Sequence, residues 1–447
     1  MAQLSIVKKS ELEGAMRLDA EYYQPKYLRI VKAFQALRAV PLSEVAKPVK
    51  RRFAPTDRPF NYIEIAEVDI GTGAINAVEV AGAEAPSRAQ WIVREGDVIV
   101  STVRPARNAV ALIGSSEDGF VCSNGFAVLR PIKTSSEFLF AYLKTSIVAS
   151  LLDRKTTATM YPAVSGDDVL SLPVALLDSE IRGSISDKVK ESRQKLKDSE
   201  SLYLQAERFL LNEIGFKDLD LSHQLYYTVS YKRVREADRL DAEHFQPKYE
   251  RLEKHLSQYK NGAKVLGSLI CPITNGYDCR EFESVGVPYL RVGDVRVGWI
   301  DTSSAERISP HFIKKDVALS PGDVLFTRKG TYGVASRVRQ GEENCIISSE
   351  IMRIRLLPGS QLSPDFLAVF LNTMAARIQV EKYVHGFSNF SITQADIQKL
   401  IVPLPAGPFQ ERVADLVTQS WQARQKARQL LEEAKRRVEN IVQGKAS

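Results

Sequence analysis

Two close carboxylate pairs are the first place to look for chemistry. Asp19 and Glu21 lie two residues apart, as do Asp241 and Glu243. Carboxylates so spaced can divide acid and base roles or share a metal ion. Their surroundings point elsewhere. Residues 17–27 read RLDAEYYQPKY and residues 239–249 read RLDAEHFQPKY, identical at nine of eleven positions. Repeated neighbours such as Pro25 and Tyr27 fix shape rather than reactivity, so each segment reads as a structural or subunit-docking element. Asp19, Tyr23, Asp241 and Phe245 are its candidates for partner contact.

Other reactive constellations are thin. Val68-Asp69-Ile70-Gly71-Thr72-Gly73 has the outline of a glycine loop for S-adenosylmethionine, but the matching stretch around Leu290–Val295 lacks Gly-x-Gly. Neither half contains an Asn/Asp-Pro-Pro-Tyr/Phe tetrapeptide to hold a flipped adenine. The run therefore reads as a turn between strands. Cys271 and Cys279 are eight apart and the five histidines are dispersed, a poor spacing for zinc. The expectation is a chain with no catalytic, cofactor or metal site of its own.

Residues suited to nucleic acid are better grouped. Thr102-Val103-Arg104-Pro105-Ala106-Arg107-Asn108 follows an apolar run and concentrates Arg104, Arg107 and Asn108. Arginine pairs with guanine edges and asparagine with adenine edges. The counterpart holds Arg328, Lys329, Gly330, Thr331 and Tyr332, where cations neutralise phosphate and glycine admits a close backbone. A second matched pair of polar, aromatic-bearing loops offers Thr159 and Tyr161 in one half, Ser388 and Asn389 in the other. Phe387 and Phe390 read as core. Arg51 and Arg52, beside Lys50, are candidates for the phosphate backbone. The alternative for the Arg- and Lys-bearing groups is an exposed loop with solvated charge, and for the aromatic-bearing pair it is core packing.

Such groups come in pairs because the chain is duplicated. Arg17 and Arg239 open the two copies 222 residues apart. The offset drifts to 226 at Gly96–Thr102 against Gly322–Arg328, and to 228 at Asp168 against Asp396. A period that long marks a repeated domain, since solenoid repeats run roughly 20–50 residues. Between these anchors, 51–92 has little in common with 275–318. Short β-rich runs (NYIEIAEVDI, GDVIVSTV and GFAVLRPI; PYLRVGDV, GDVLFTRK and IISSEIMRIRLL) alternate with the helical patterns FLFAYLKTSIVASLLD and FLAVFLNTMAARIQVEKY. DVLSLPVALL and DIQKLIVPLP read as further strands. The mixture predicts an α+β domain around a curved or barrel-like sheet, twice over.

Residues 179–214 and 408–443 change character and become rich in Glu, Lys, Arg, Gln, Ala and Leu. A seam spaced four and three residues runs Ile185, Val189, Ser192, Leu196, Ser199, Tyr203, Ala206, Leu210. The second runs Val413, Val417, Ser420, Arg424, Ala427, Leu431, Ala434, Val438. This coiled-coil-like stripe predicts that the helices pair about a two-fold axis. Arg424 breaks the second seam and either bends that helix outward or faces a partner. The alternative is two amphipathic helices, each packed on its own domain.

The bulk numbers set bounds. At 447 residues there is room for two to four domains. A net charge of +7 tilts slightly toward nucleic acid. Apolar stretches fall far short of the roughly 20 residues of a membrane helix, and MAQLSIVKKSELEG has no signal-peptide core. With scattered cysteines, a cytoplasmic setting is expected.

In its order of elements the chain resembles the specificity subunits of type I restriction–modification systems over essentially its whole length. LDAEYYQPKY and LDAEHFQPKY carry the resemblance, with GDVIVSTVRPA and GDVLFTRKGTYG, DVLSLPVALL and DIQKLIVPLP, and a long helix after each. It implies two tandem mixed α/β target recognition domains, 1–177 and 217–405, each reading one half of an asymmetric bipartite site in double-stranded DNA. Helices 178–216 and 406–447 would pair as an antiparallel coiled coil, set the spacing, and dock two methyltransferase subunits. Motor/nuclease subunits would complete the restriction complex. The chain itself would be non-catalytic, with S-adenosylmethionine, ATP and Mg on its partners and no membrane. Two other classes compete: a coiled-coil scaffold without DNA specificity, and an internally duplicated DNA-modifying enzyme.

Overall fold

The Gly-Asp pair at 96–97 and again at 322–323 starts the same strand in both halves. Gly96 and Gly322 take the left-handed conformation (φ +82° and +95°) that the preceding turn requires. Each aspartate is buried and closes its turn: Asp97 accepts from the Arg94 N–H at 2.8 Å, and Asp323 from the Ser320 N–H at 2.7 Å. Each is also charge-paired. Arg130 meets Asp97 at 2.7 Å beside Arg51, while Arg355 grips Asp323 through contacts of 2.6 and 2.7 Å. The strands that follow, Val98–Ser101 and Val324–Thr327, are buried along their whole length.

The computed structural model describes residues 4–12, 18–156, 161–175, 177–384 and 390–445. The fold divides into two units, residues 1–196 with 424–447 and residues 197–423. In the first, an antiparallel sheet runs Ala46–Pro48, Phe126–Pro131, Val98–Ser101, Val110–Leu112. In the second, the order is Thr274–Asn275, Ile351–Ile354, Val324–Thr327, Ala335–Arg337, again antiparallel. The divergent segments also share a design. Phe60–Ile63 lies parallel to Val121–Ser123 with Tyr62 opposite Val121, and Val287–Leu290 lies parallel to Ile346–Ile347 with Tyr289 opposite Ile346. The curved or barrel-like sheet expected of each half resolves, among the described residues, into two main sheets with one two-stranded pair in the first unit and two in the second.

Each apolar helical pattern is two helices: Ser136–Leu143 and Ser146–Arg154, then Pro364–Asn372 and Met374–Tyr383. Thr145 and Thr373 make the break, their hydroxyls capping the N–H groups of Val148 and Ala376. The expected strands DVLSLPVALL and DIQKLIVPLP need correction. They begin as the short helices Gly166–Leu170 and Gln394–Gln398, and only Pro173–Val174 and Ile401–Pro403 are strand. Ser165 and Asp168 cap each other at 2.9 and 3.0 Å, and Thr393 caps the Asp396 N–H at 3.2 Å. A Ser/Thr-x-x-Asp start drives the backbone into a helical turn before the strand can form.

The long helices are Ser179–Glu213 and Gly407–Val442. Each contributes to both units. Ile185 and Val189 join Leu431, Ala434 and Val438 in the core under Phe138 and Phe140. Tyr203, Ala206 and Leu210 join Val413 and Val417 in the core under Phe366 and Phe370. In the first unit Ser184, Lys188 and Ser192 bond to Arg437, Glu433 and the Ala427 carbonyl in turn. In the second, Ser199 meets Ser420 at 3.1 Å and Phe209 stacks on Phe409. Residue numbers rise on one helix as they fall on the other. Arg424 is half-buried in an unbroken helix. Among the described residues no helix is long and apolar enough to cross a membrane.

Candidate nucleic-acid interface

In the first unit the candidate loop is held from both ends. Val103 pairs with Ala163, and the Arg104 N–H donates to the Pro162 carbonyl at 2.7 Å. Arg104 and Asn108 take left-handed backbone (φ +48° and +57°) on either side of the turn Pro105–Arg107. Asparagine tolerates that region, whereas for arginine it costs about 1 kcal/mol. Arg104 and Arg107 are exposed, and the Arg104 guanidinium stands 5.8 Å from the centre of the exposed Tyr161 ring. The two loops singled out in sequence therefore meet. Asn108 turns inward instead, donating to the Lys144 carbonyl at 2.7 Å.

The second unit repeats the junction with other side chains. Lys329 pairs with Ser391, as Val103 does with Ala163. Lys329 and Thr331 are exposed around Gly330. Arg328 is spent internally, donating to the Ser349 and Ile392 carbonyls at 3.2 and 3.4 Å. Tyr332 is half-buried with Phe390 edge-on at 6.0 Å; burial, then the Glu381 carboxylate, pushes its hydroxyl above the usual range. Thr159, Ser388 and Asn389 lie outside the described residues. Arg52 is exposed, but Arg51 holds Asp97 and the Ile92 carbonyl (3.1 Å), so its charge is already matched.

The repeated RLDAE segments divide in the same way. Asp19 and Asp241 are exposed, whereas Tyr23 and Phe245 are buried in their own units and cannot themselves touch a partner. Each ring forms a T-shaped pair with its neighbour, Tyr22 at 5.1 Å or His244 at 4.8 Å. These pairs seat on the C-terminal ends of helices Ser146–Arg154 and Met374–Tyr383. Arg154 donates to the Tyr22 carbonyl at 2.8 Å, and the His244 Nδ1–H donates to the Lys382 carbonyl at 2.7 Å. Burial lowers the His244 pKa, in keeping with a neutral ring there. Asp241 is fixed by Arg239 at 2.6 and 2.7 Å, which holds its carboxyl below the ordinary range. The Val68–Gly73 run is a turn, filled by Asp69 accepting from the Thr72 N–H and hydroxyl at 2.6 and 2.8 Å.

One exposed turn escaped the sequence reading. Asn124 sits between Val121–Ser123 and Phe126–Pro131, and Gly125 accepts the Thr102 N–H at 2.8 Å, right where the candidate loop starts. In the second unit the Glu350 carbonyl accepts the Arg328 N–H at 2.9 Å. The signal was there: Asn-Gly between two β-rich runs marks a turn.

Residues 271–435 match the family model described as the type I restriction modification DNA specificity domain. The chain is also 25% identical over 152 residues to the type I restriction enzyme HindI specificity subunit of Haemophilus influenzae, and the match spans 33% of each protein. Among solved structures it aligns with the HsdS subunit of Thermoanaerobacter tengcongensis at 24% identity, over 91% of this chain and 96% of that one, with a TM-score of 0.34. The type I S subunit of M. genitalium aligns at 11% identity, over 90% and 94%, with a TM-score of 0.36. The matched domain covers most of the second copy of a framework that the first copy repeats, so over residues 271–435 the chain is similar to the DNA specificity domain of type I restriction–modification systems.

Proposed function

We propose that this chain is the DNA sequence-specificity subunit of its complex, non-catalytic alone, with each mixed domain reading one half of an asymmetric bipartite duplex. The observation that carries this is the repeated junction of two loops: Val103 with Ala163, and Lys329 with Ser391. The backbone is common, but Arg104, Arg107 and Tyr161 are exposed at one junction and Lys329 and Thr331 at the other. One frame with unlike fillings suits two unlike half-sites, its exposed arginines and lysine gripping phosphate and the other exposed groups of each unit left to read base edges.

In this reading 1–177 and 217–405 are the recognition domains. Helices 178–216 and 406–447 pair as an antiparallel coiled coil and set the half-site spacing. The Ser192–Ala427 and Ser199–Ser420 contacts support the pairing. Helices of 35 and 36 residues reach roughly 50 Å, enough for half-sites about 34 Å apart. Two methyltransferase subunits dock beside the RLDAE copies, where Leu4, Ile6 and Leu18 precede or open one and Leu225, Tyr226 and Leu240 the other, all at least 79% exposed. Motor/nuclease subunits, S-adenosylmethionine, ATP and Mg belong to the partners, and the setting is cytoplasmic.

The test is to map methylated adenines after co-expression with the cognate methyltransferase subunit. Exchanging 1–177 or 217–405 for the same domain of a relative is expected to change one half of a split motif and leave the other. A motif indifferent to both exchanges would sink the reading.

A further inference from the structure

This inference rests on the DNA-reading role just proposed. The Asn124–Gly125 turn is clamped on both sides. The Asn124 N–H donates to the Arg88 carbonyl at 2.8 Å, the Gly125 N–H to the Ser123 hydroxyl at 3.2 Å, and the Thr102 N–H and hydroxyl both reach the Gly125 carbonyl at 2.8 and 2.9 Å. A Cβ at Gly125 would stand 2.9 Å from Ile65 Cδ1, so the turn is packed closely from beneath. Yet the Asn124 side chain is exposed, and among the described residues its amide makes no hydrogen bond. A fixed backbone thus carries an uncommitted amide donor and acceptor on the turn that anchors Thr102, where the Arg104–Arg107 loop begins.

The second unit supplies a contrast at the same place. Glu350 clamps Arg328 as Gly125 clamps Thr102, which sets Ser349 opposite Asn124 in the two frameworks. The Ser349 hydroxyl is bonded to the exposed carboxylate of Asp278 at 2.6 Å. One turn thus offers a donor and an acceptor together, the other a carboxylate acceptor. Of the four major-groove edges, adenine alone presents an acceptor and a donor that an asparagine amide engages with two hydrogen bonds; a carboxylate suits the amino group of cytosine.

We propose that Asn124 is a specificity-determining residue of the first domain, its amide reading the N6/N7 edge of one adenine in the first half-site. Arg104 and Arg107 hold the flanking phosphates and carry no sequence preference.

The experiment is selection of bound sequences from a random duplex pool, using the full chain assembled with its methyltransferase subunit. Wild type is expected to enrich a split motif. Asn124→Ala is expected to flatten preference at one adenine of one half by about tenfold or more, the discrimination of one bidentate pair. Asn124→Asp, which can only accept, is expected to turn that position away from adenine and toward cytosine. The other half-site stays as it was, and the melting temperature is unchanged because the side chain is exposed. If both variants enrich the wild-type motif, or if preference falls evenly across the whole half-site, the assignment to Asn124 is overturned while the DNA-reading role stands. If wild type itself enriches no split motif, that role is overturned and the assignment with it.

Discussion

Asn108 and Lys144 hold each other: the Asn108 amide donates to the Lys144 carbonyl at 2.7 Å, and the Lys144 ammonium donates back to the Asn108 carbonyl at 3.3 Å. The ammonium also bonds to the Ile70 carbonyl and is wholly buried. Burial pushes its pKa down to about 7, helped by Lys435 and opposed by Asp69 and Glu432. The base of the Arg104–Arg107 loop thus rests on a lysine that sheds its proton near neutrality.

Stability must then depend on pH in a definite sense. The folded value lies below the ordinary 10.5, so between about 7 and 10.5 the unfolded chain binds the extra proton. The contribution from Lys144 therefore rises with pH across that window and is flat below it. Urea unfolding of wild type and Lys144→Met at pH 7 and pH 9.5 checks this. Wild type is expected to gain roughly 2–4 kcal/mol relative to the variant. A gap that stays constant with pH would refute the account.

Cations that bind phosphate and cations that hold the fold are separable by salt. Arg104→Ala and Arg107→Ala are each expected to weaken DNA binding across sequences and to lower the log–log salt slope by about 1. Arg51→Ala is expected to leave the slope alone and cost about 1.5–3 kcal/mol of stability, because Asp97 loses one of its two charged partners. Binding titrations over a KCl series, paired with urea melts, distinguish the two.

What was legible in the sequence was periodic or local. The change of composition over 179–214 and 408–443 falls within one residue of each long helix, the wider spans 178–216 and 406–447 overrun them, and all eight seam positions of the central helix are buried. The capping pairs Ser165/Asp168 and Thr393/Asp396 were equally legible, but apolar content drew the reading to strands. Arg51, Asn108 and Arg328 show the real limit. Their partners Asp97, Lys144 and Ser349 lie tens of residues away, so composition reveals the charge or amide and hides what satisfies it. Divergent 51–92 and 275–318 hide a shared pairing because a strand needs only alternation and burial, which many sequences supply.

Glycine at 298 is demanded twice. Its φ is +79°, and an added Cβ would fall 2.6 Å from the Tyr203 ring. Gly73 stands in the same relation to Phe140, with φ +75° and 2.7 Å. Gly298→Ala is expected to destabilise by roughly 2–4 kcal/mol through strain and overpacking. Thermal melts of Gly298→Ala beside Gly333→Ala, which has φ +85° and nothing within 4 Å, separate the two causes. Equal losses would mean that the aromatic contact contributes nothing.

Burial of Tyr23 and Phe245 moves the docking proposal onto their exposed neighbours. Leu225 and Tyr226 are 90% and 88% exposed, and Leu18 and Leu240, the same residue of the repeated motif, are 79% and 89%. Large apolar side chains so open bury nothing in this chain, so polar replacements leave its own stability within about 0.5 kcal/mol. A partner that covers them would lose roughly 1.5–3 kcal/mol for each buried side chain. Leu225→Ser with Tyr226→Ser is therefore expected to reduce methyltransferase capture at one of two sites, read as a fall from two subunits to one in native mass spectrometry at limiting concentration. The double variant should melt with wild type. Two subunits retained at that concentration would place the docking surface elsewhere.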